Sequence, residues 1–412
     1  MIAARVFGVG LFAAVVLIPL AHLSLFAIPG RVALVAAGVA GLVLAVRERR
    51  RPVGTVVEAA FLLFVVLSAA SVLVSVDVVA SGRAASKVLL RQLVLFLLVA
   101  GLAREGERRR SVAAALGLSG LLLAFDAALL WAGETRNVFG GLTGRGLDYN
   151  TLCMLLLPAL AALLALATAV QTPGGAAAWG TAAALVTAAS WATFSRIGWG
   201  ALVLLVATFA FASRGRWARP LAAVAAGTLL FLALFRDPLA YLTVTDNDRF
   251  LVSWEEELTP EMTKRMALRD VLTMNSRLEY AWVPALRLVA ERPLLGAGYG
   301  PETFAKVVPR DRRVLFHEHS ALLAVAVQSG VPAALALGTV LLALAAGLGR
   351  PALRAFVGSA DDALRAGLLA AVVGVHLFQG LGEPVNGRQM GLQLAVVAGL
   401  AVALPRPGGA AA

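Results

Sequence analysis

Apolar stretches of roughly 20 residues recur from one end of this chain to the other, divided by short charged or glycine-rich breaks. A bilayer leaves such a chain few choices. Every backbone amide and carbonyl within the hydrocarbon must find a partner in its own segment, and a helix provides one. The expected fold class is therefore all-α, a polytopic membrane protein. The composition agrees, with 60% hydrophobic residues and a mean hydropathy of +0.84. In a soluble protein the formal charge of +12 would suggest nucleic acid. Here arginine clusters on cytoplasmic loops, facing anionic lipid, account for it, and no nucleic-acid partner is expected. The single cysteine, Cys153, lies inside an apolar run, so it offers neither a disulfide nor a thiolate metal site.

Hydropathy gives about twelve spans, near residues 6–28, 32–46, 56–76, 88–103, 111–132, 151–170, 177–195, 197–213, 221–235, 320–348, 364–383 and 389–404. The first could pass for a signal peptide, but similar segments follow it, so it reads as an uncleaved span. The breaks RERRR, REGERRR, RGRWAR and GRPALR are strongly basic, while the intervening ones carry few cations. The positive-inside rule puts the basic set in the cytoplasm together with both termini. One connection differs in kind. From Arg236 to Glu318 the chain is polar, long and external, the sort of loop that carries function. Within it Leu278, Ala281, Trp282 and Ala285 recur at helical spacing, which predicts a helix lying on the membrane surface, apolar face down. Three regions result: an N-terminal bundle over 1–235 with about nine spans, a loop over 236–318, and C-terminal helices over 319–412 with about three.

Charges that a bilayer should exclude come next. Arg196 sits between two apolar runs with almost no loop around it. A guanidinium at the helix centre costs about 2.5–3.5 kcal/mol on insertion scales. Either it occupies a tight external turn and snorkels to headgroups, or it serves an anion site facing a cavity. Arg277 opens the loop's helical piece and by itself is an ordinary loop arginine. Lys87 and Arg91 are four residues apart on one face at the external end of the fourth span. They form a second basic patch toward a lipid phosphate, or they merely snorkel. His319 stands just before an apolar run, at or before a helix's first turn, where the partial positive charge favours a neutral ring. A neutral imidazole can take a proton as a general base. Glu318 beside it pulls the other way, and His317, Glu318 and His319 can also be read as plain interfacial residues. The HEH cluster lacks further ligands for a metal. The GAGYG stretch is a turn, or at best an anion-binding nest. Asp126 and His376, inside spans, suit an ion relay or interhelical hydrogen bonds. His22 reads as interfacial.

Taken together these residues resemble the O-antigen ligase and O-antigen polymerase superfamily of bacterial membrane glycosyltransferases. The resemblance rests on a histidine followed by Asn, Ser or Gln, nine residues and a glycine, matched by His319, Ser320, Ala321 to Ser329 and Gly330. It rests also on Arg196 in an SR pair opening a span, and on Arg277 in an SR pair upstream of W…PLLGAGYG. Asn150, in DYNTLCMLLLPALA, resembles the start of the family's sixth span. The resemblance implies an inner-membrane enzyme that moves a glycan from undecaprenyl diphosphate to an acceptor on the periplasmic side. It implies that Arg196 and Arg277 hold the diphosphate, with Asn150 as a further binding residue, and that His319 activates the acceptor hydroxyl. Lys87 and Arg91 stay as further binding residues on their position and charge alone. No metal or other cofactor is implied. The acceptor is lipid A-core in a ligase, a second lipid-linked glycan in a polymerase, or a protein hydroxyl in an O-oligosaccharyltransferase. The compact loop and the lack of a further C-terminal periplasmic region favour the ligase. A transporter or flippase using Asp126 and His376 is the reading from a different class.

Overall fold

The computed structural model describes residues 2–17, 20, 24–47, 55–135, 141–145, 147–213, 216, 218–235, 281–300, 303–308, 320–354, 359–381 and 388–405. Among these, helices make the whole architecture, and the only β feature is an isolated bridge between Gly144 and Leu147. In chain order the helices are α1 (Ile2–Leu17), α2 (Ser24–Arg47), α3 (Val56–Ala70), α4 (Val78–Leu102), α5 (Gly106–Ala132), α6 (Tyr149–Ala169), α7 (Pro173–Ala192), α8 (Arg196–Ala212) and α9 (Ala218–Leu234). After the described loop residues resume come α10 (Val283–Glu291), α11 (Thr303–Val307), α12 (Ala321–Ser329), α13 (Val331–Arg354), α14 (Ala360–Ala371) and α15 (Arg388–Ala403).

Six helical segments are long and apolar enough to cross a membrane: Val56–Val74, Val78–Gly101, Gly106–Ala132, Tyr149–Ala169, Val331–Pro351 and Ala360–Leu381. Five shorter apolar helices accompany them. The structure thus supports a many-helix membrane protein without fixing the count at twelve.

Several boundaries differ from the sequence expectation. The expected first span, 6–28, is divided between α1, which ends at Leu17, and α2, which begins at Ser24, and two others have a clear local cause. The fourth helix starts at Val78 rather than near residue 88, because Asp77 caps it through a bond from Ala80 N at 2.9 Å. Arg83 and Lys87 depress hydropathy there without interrupting the helix. Lys87 and Arg91 are therefore mid-helix, Lys87 exposed and Arg91 half-buried. The tenth apolar run is broken in two at Gly330, whose φ of +87° only glycine adopts without strain. A Cβ at that position would also lie 2.1 Å from the Leu294 carbonyl oxygen.

The core is organised around α6, 94% of whose span is buried. Helices α5, α7, α8 and α14 surround it, α15 packs on α4, and α13 on α3. Small residues allow the close approaches that membrane helices rely on. A Cβ on Gly120 would fall 2.2 Å from Ala159 Cβ, and one on Gly198 would fall 2.4 Å from Cys153 Sγ. At the end of the bundle where α5 and α14 begin, Arg109 forms a two-point ion pair with Asp361, Nη2–Oδ2 2.6 Å and Nε–Oδ1 3.0 Å. Arg365 beside it bonds Asp362 and the Pro405 carbonyl, both at 2.9 Å. Both arginines are buried, and α15 ends against them.

Candidate active site

The opposite end of the bundle gathers the starts of α4, α6, α8 and α13 and the end of α14. Asp148 caps α6, accepting from Asn150 N and Thr151 N at 2.9 Å each. Ser195 caps α8, its hydroxyl accepting from Gly198 N at 3.0 Å. That same hydroxyl donates to Asn150 Oδ1 at 2.6 Å. Arg196 is the first residue of α8 and is exposed. Two residues that sequence reasoning singled out separately, Asn150 and Arg196, are thus joined through one serine. A cation at a helix N-terminus adds to the positive end of the macrodipole instead of compensating it. Guanidinium and helix end together make a spot complementary to an anion.

Beneath Arg196 the backbone is held in an uncommon state. Phe194 has φ of +54° and is buried. Its ring lies in an aromatic nest with Trp199, Phe231 and Phe235 at centroid distances of 5.9, 5.8 and 5.3 Å. Trp191 joins the same nest, 5.0 Å from Trp199, and anchors it through Nε1 to Thr228 Oγ1 at 3.1 Å. This packing compensates the left-handed conformation and turns the chain into α8.

The glycine-rich stretch does a structural task. Ala297 N donates to Val327 O at 2.8 Å, Gly298 N to Gln328 O at 3.0 Å, and Gly300 N to Gln328 Oε1 at 3.3 Å. These amides are engaged by the end of α12, so the turn reading holds and the anion-nest reading does not. On its other side the stretch is tied to the α3–α4 junction, by Val76 N to Ala297 O at 3.2 Å and Ser81 Oγ to Tyr299 O at 2.6 Å. Lys306 adds an ion pair with Asp77 at 2.9 Å. Burial pushes the Tyr299 phenol up, so it stays protonated. The Ala80 amide and then the Lys306 ammonium hold Asp77 below the ordinary carboxylate range.

One face of the helix expected on the membrane surface packs on protein. Ala285 and Leu288 of α10 lie against Ala297, Phe304 and Val327, while Leu286 is exposed and Leu278, of the expected apolar face, lies outside the described residues. Helix α12 then runs back alongside α13. Leu322, in its first turn, lies against Gly338 at van der Waals distance (3.9 Å from the Cβ position), seven residues into α13 (338 − 331). At a rise of about 1.5 Å per residue, that places the start of α12 about 10 Å below the head of α13. Ser320 is its N-cap residue. His319, directly before it, lies outside the described residues, as do Arg277, His317 and Glu318.

Asp126 ion-pairs with Arg145 at 3.2 Å. Both nitrogens of His376 are buried without a hydrogen-bond partner. No polar chain links the two among the described residues. Sequence reasoning missed Ser195 as the connecting group, although a serine opening an apolar run is a readable helix start. It also missed Gln379, which sits in a 3₁₀ turn (Gln379–Leu381) packed against both α8 and α12.

With this geometry in hand, residues 181–338 match a family model described as O-antigen ligase. Over that stretch the chain is similar to the O-antigen ligase superfamily. The matched stretch begins within α7 and ends within α13, so it takes in Arg196, Arg277 and His319. Asn150, Lys87 and Arg91 fall outside it. That similarity supports a membrane glycosyltransferase of the ligase or polymerase type. No curated protein matches the chain.

Proposed function

We propose that the protein transfers a glycan from undecaprenyl diphosphate to a hydroxyl of lipid A-core at the periplasmic face of the inner membrane. On this reading residues 236–318 form the loop on that face. The acceptor oxygen attacks the anomeric carbon while the bond from that carbon to the diphosphate oxygen breaks. The leaving electron pair stays on the diphosphate, and the acceptor's proton goes to His319. Charge therefore grows on phosphate oxygens as the reaction proceeds, and guanidinium groups suit that task because they remain charged and bind two oxygens at once. Cations fixed in place before the reaction supply the largest share of such stabilisation.

The observation that carries this reading is the Asn150–Ser195–Arg196 cluster at the positive end of α8. Arg277 is assigned to the same diphosphate on the family resemblance, and Lys87 and Arg91 to the lipid-phosphate side of the substrate on their charge alone. No metal is needed, because the arginines take its charge role.

The deciding experiment reconstitutes the purified protein with a lipid diphosphate-linked glycan and, in parallel, lipid A-core, a second lipid-linked glycan, or a pilin-like protein. Product on lipid A-core supports the ligase. Product on either other acceptor reassigns it as a polymerase or a protein O-oligosaccharyltransferase. Replacing His319 with alanine should lower turnover by about 10²–10⁴-fold while donor binding persists. Turnover at the wild-type rate would remove the base assignment.

A further inference from the structure

Helix α14 does not end as an ordinary helix. From Val372 to Phe378 it widens into a π-helical turn and then tightens into the 3₁₀ turn that holds Gln379. Such π segments cost regular hydrogen bonding and are frequent at functional sites. This one is pressed onto the first turns of α8. A Cβ on Gly374 would lie 2.8 Å from the Ala201 carbonyl oxygen, and one on Gly200 would lie 2.9 Å from the Phe378 ring.

The Gln379 side chain is fully buried, and its Nε2 donates to the Asn150 carbonyl at 3.4 Å, a long bond. A carbonyl only accepts, so this contact also fixes which end of the amide is nitrogen. The other end, Oε1, has no partner, and one turn earlier neither nitrogen of His376 has one. Unpaired polar atoms in a buried site lower stability, so an apolar side chain of similar size would serve the fold better. What glutamine does that methionine would not is grip Asn150, which accepts from the Ser195 hydroxyl that caps α8.

We propose that Gln379 is a positioning residue: it holds Asn150, and through Asn150 and the Ser195 cap it fixes the first turn of α8 that presents Arg196. The inference rests on the reading of Arg196 as a diphosphate-binding group. It lies outside the stretch matched to the family.

The test uses the full chain in lipid nanodiscs, comparing wild type with Gln379→Met by thermal unfolding, by hydrogen exchange at the Gly198 amide, and by glycan transfer from undecaprenyl diphosphate. The expected variant unfolds at the wild-type temperature or above and exchanges the Gly198 amide at least fivefold faster. Its kcat/KM for the donor falls by tenfold or more, mainly through KM, and combining it with Arg196→Lys adds less than a twofold further loss. Unchanged exchange at Gly198 overturns the inference whatever happens to transfer. A lowered unfolding temperature, or losses that multiply with Arg196→Lys, reduces Gln379 to a structural residue and overturns it as well. Faster exchange in the variant with no transfer by wild type from the diphosphate donor instead removes the glycan-transfer reading, and the functional half of this inference with it.

Discussion

The hydroxyl of Ser195 donates to Asn150 Oδ1 at 2.6 Å while accepting from Gly198 N at 3.0 Å. One side chain therefore ends the turn before α8, satisfies an otherwise orphaned amide and ties α8 to the first turn of α6. Arg196 is aimed by that knot. Ser195→Ala should cost about 0.5–2 kcal/mol as a lost cap. Transfer should fall about tenfold, the equivalent of about 1.4 kcal/mol of lost transition-state stabilisation. Melting curves and donor kinetics on the same preparation check both figures.

Phe194 poses a contest between backbone and packing. Its left-handed φ costs about 1–3 kcal/mol, which Phe194→Gly would relieve. Emptying the nest of Phe231, Phe235 and Trp199 costs about 3–5 kcal/mol. Packing should win, so the glycine variant melts lower than wild type, though not as low as Phe194→Ala. A glycine variant more stable than wild type would show that the ring contributes less than its position suggests.

At Gly330 a side chain is excluded twice, by φ of +87° and by the Leu294 carbonyl. Gly330→Ala should detach the glycine-rich stretch from α12 or prevent folding. The sign is monodisperse protein that loses amide protection at Ala297 and Gly298, or no monodisperse protein at all. A normal yield with unchanged protection would contradict the packing described above.

The far end of the bundle predicts the reverse pattern. Asp361→Ala leaves the Arg109 charge buried without its carboxylate, a change that costs about 3–5 kcal/mol. Substituting both, Arg109→Met with Asp361→Leu, should recover most of that loss, because no lone charge remains. Transfer per folded molecule should be unchanged in either variant, since this ion pair is at the opposite end from Arg196.

Acid should loosen the glycine-rich stretch. Asp77 is held below its ordinary pKa by the Ala80 amide and Lys306. Its contribution is therefore complete above the unfolded value and is lost as pH falls through the lower folded one, below about pH 4. Hydrogen exchange at residues 76–81 followed from pH 6 to pH 3 should show protection falling only in the acid limb. Asp77→Ala should remove both the pH dependence and the protection.

Much of the fold was legible because a bilayer imposes a coarse grammar. Apolar runs of spanning length mark most of the helices, although the caps that start them, such as Thr55, Asp148 and Ser359, were not read in advance. What escaped was local. The start of α4 was obscured by Arg83 and Lys87, which lower hydropathy without breaking a helix capped at Asp77. The break at Gly330 depends on a backbone dihedral, and composition carries no sign of it. Of the apolar face expected from spacing, Ala285 lies in α10, and the sequence did not say that Val327 and Phe304 would cover it together with Leu288. In the candidate site Arg196 stood out as a charge between apolar runs, and Asn150 through the family resemblance. Neither the serine joining them nor Gln379 was singled out.

Helix α12 is nine residues long, about 14 Å, against a hydrocarbon core of about 30 Å. It rises beside α13 from a start two helical turns below that helix's head. On the proposed reading, the two reactants meet this depth unequally. A polyprenyl donor floats with its headgroup near the leaflet boundary and need only drift in sideways. The sugars of a lipid A-core acceptor stand out in water and have to reach back to the depth at which α12 starts, so length and suppleness at their non-reducing end, more than their charge, would decide which molecules get served.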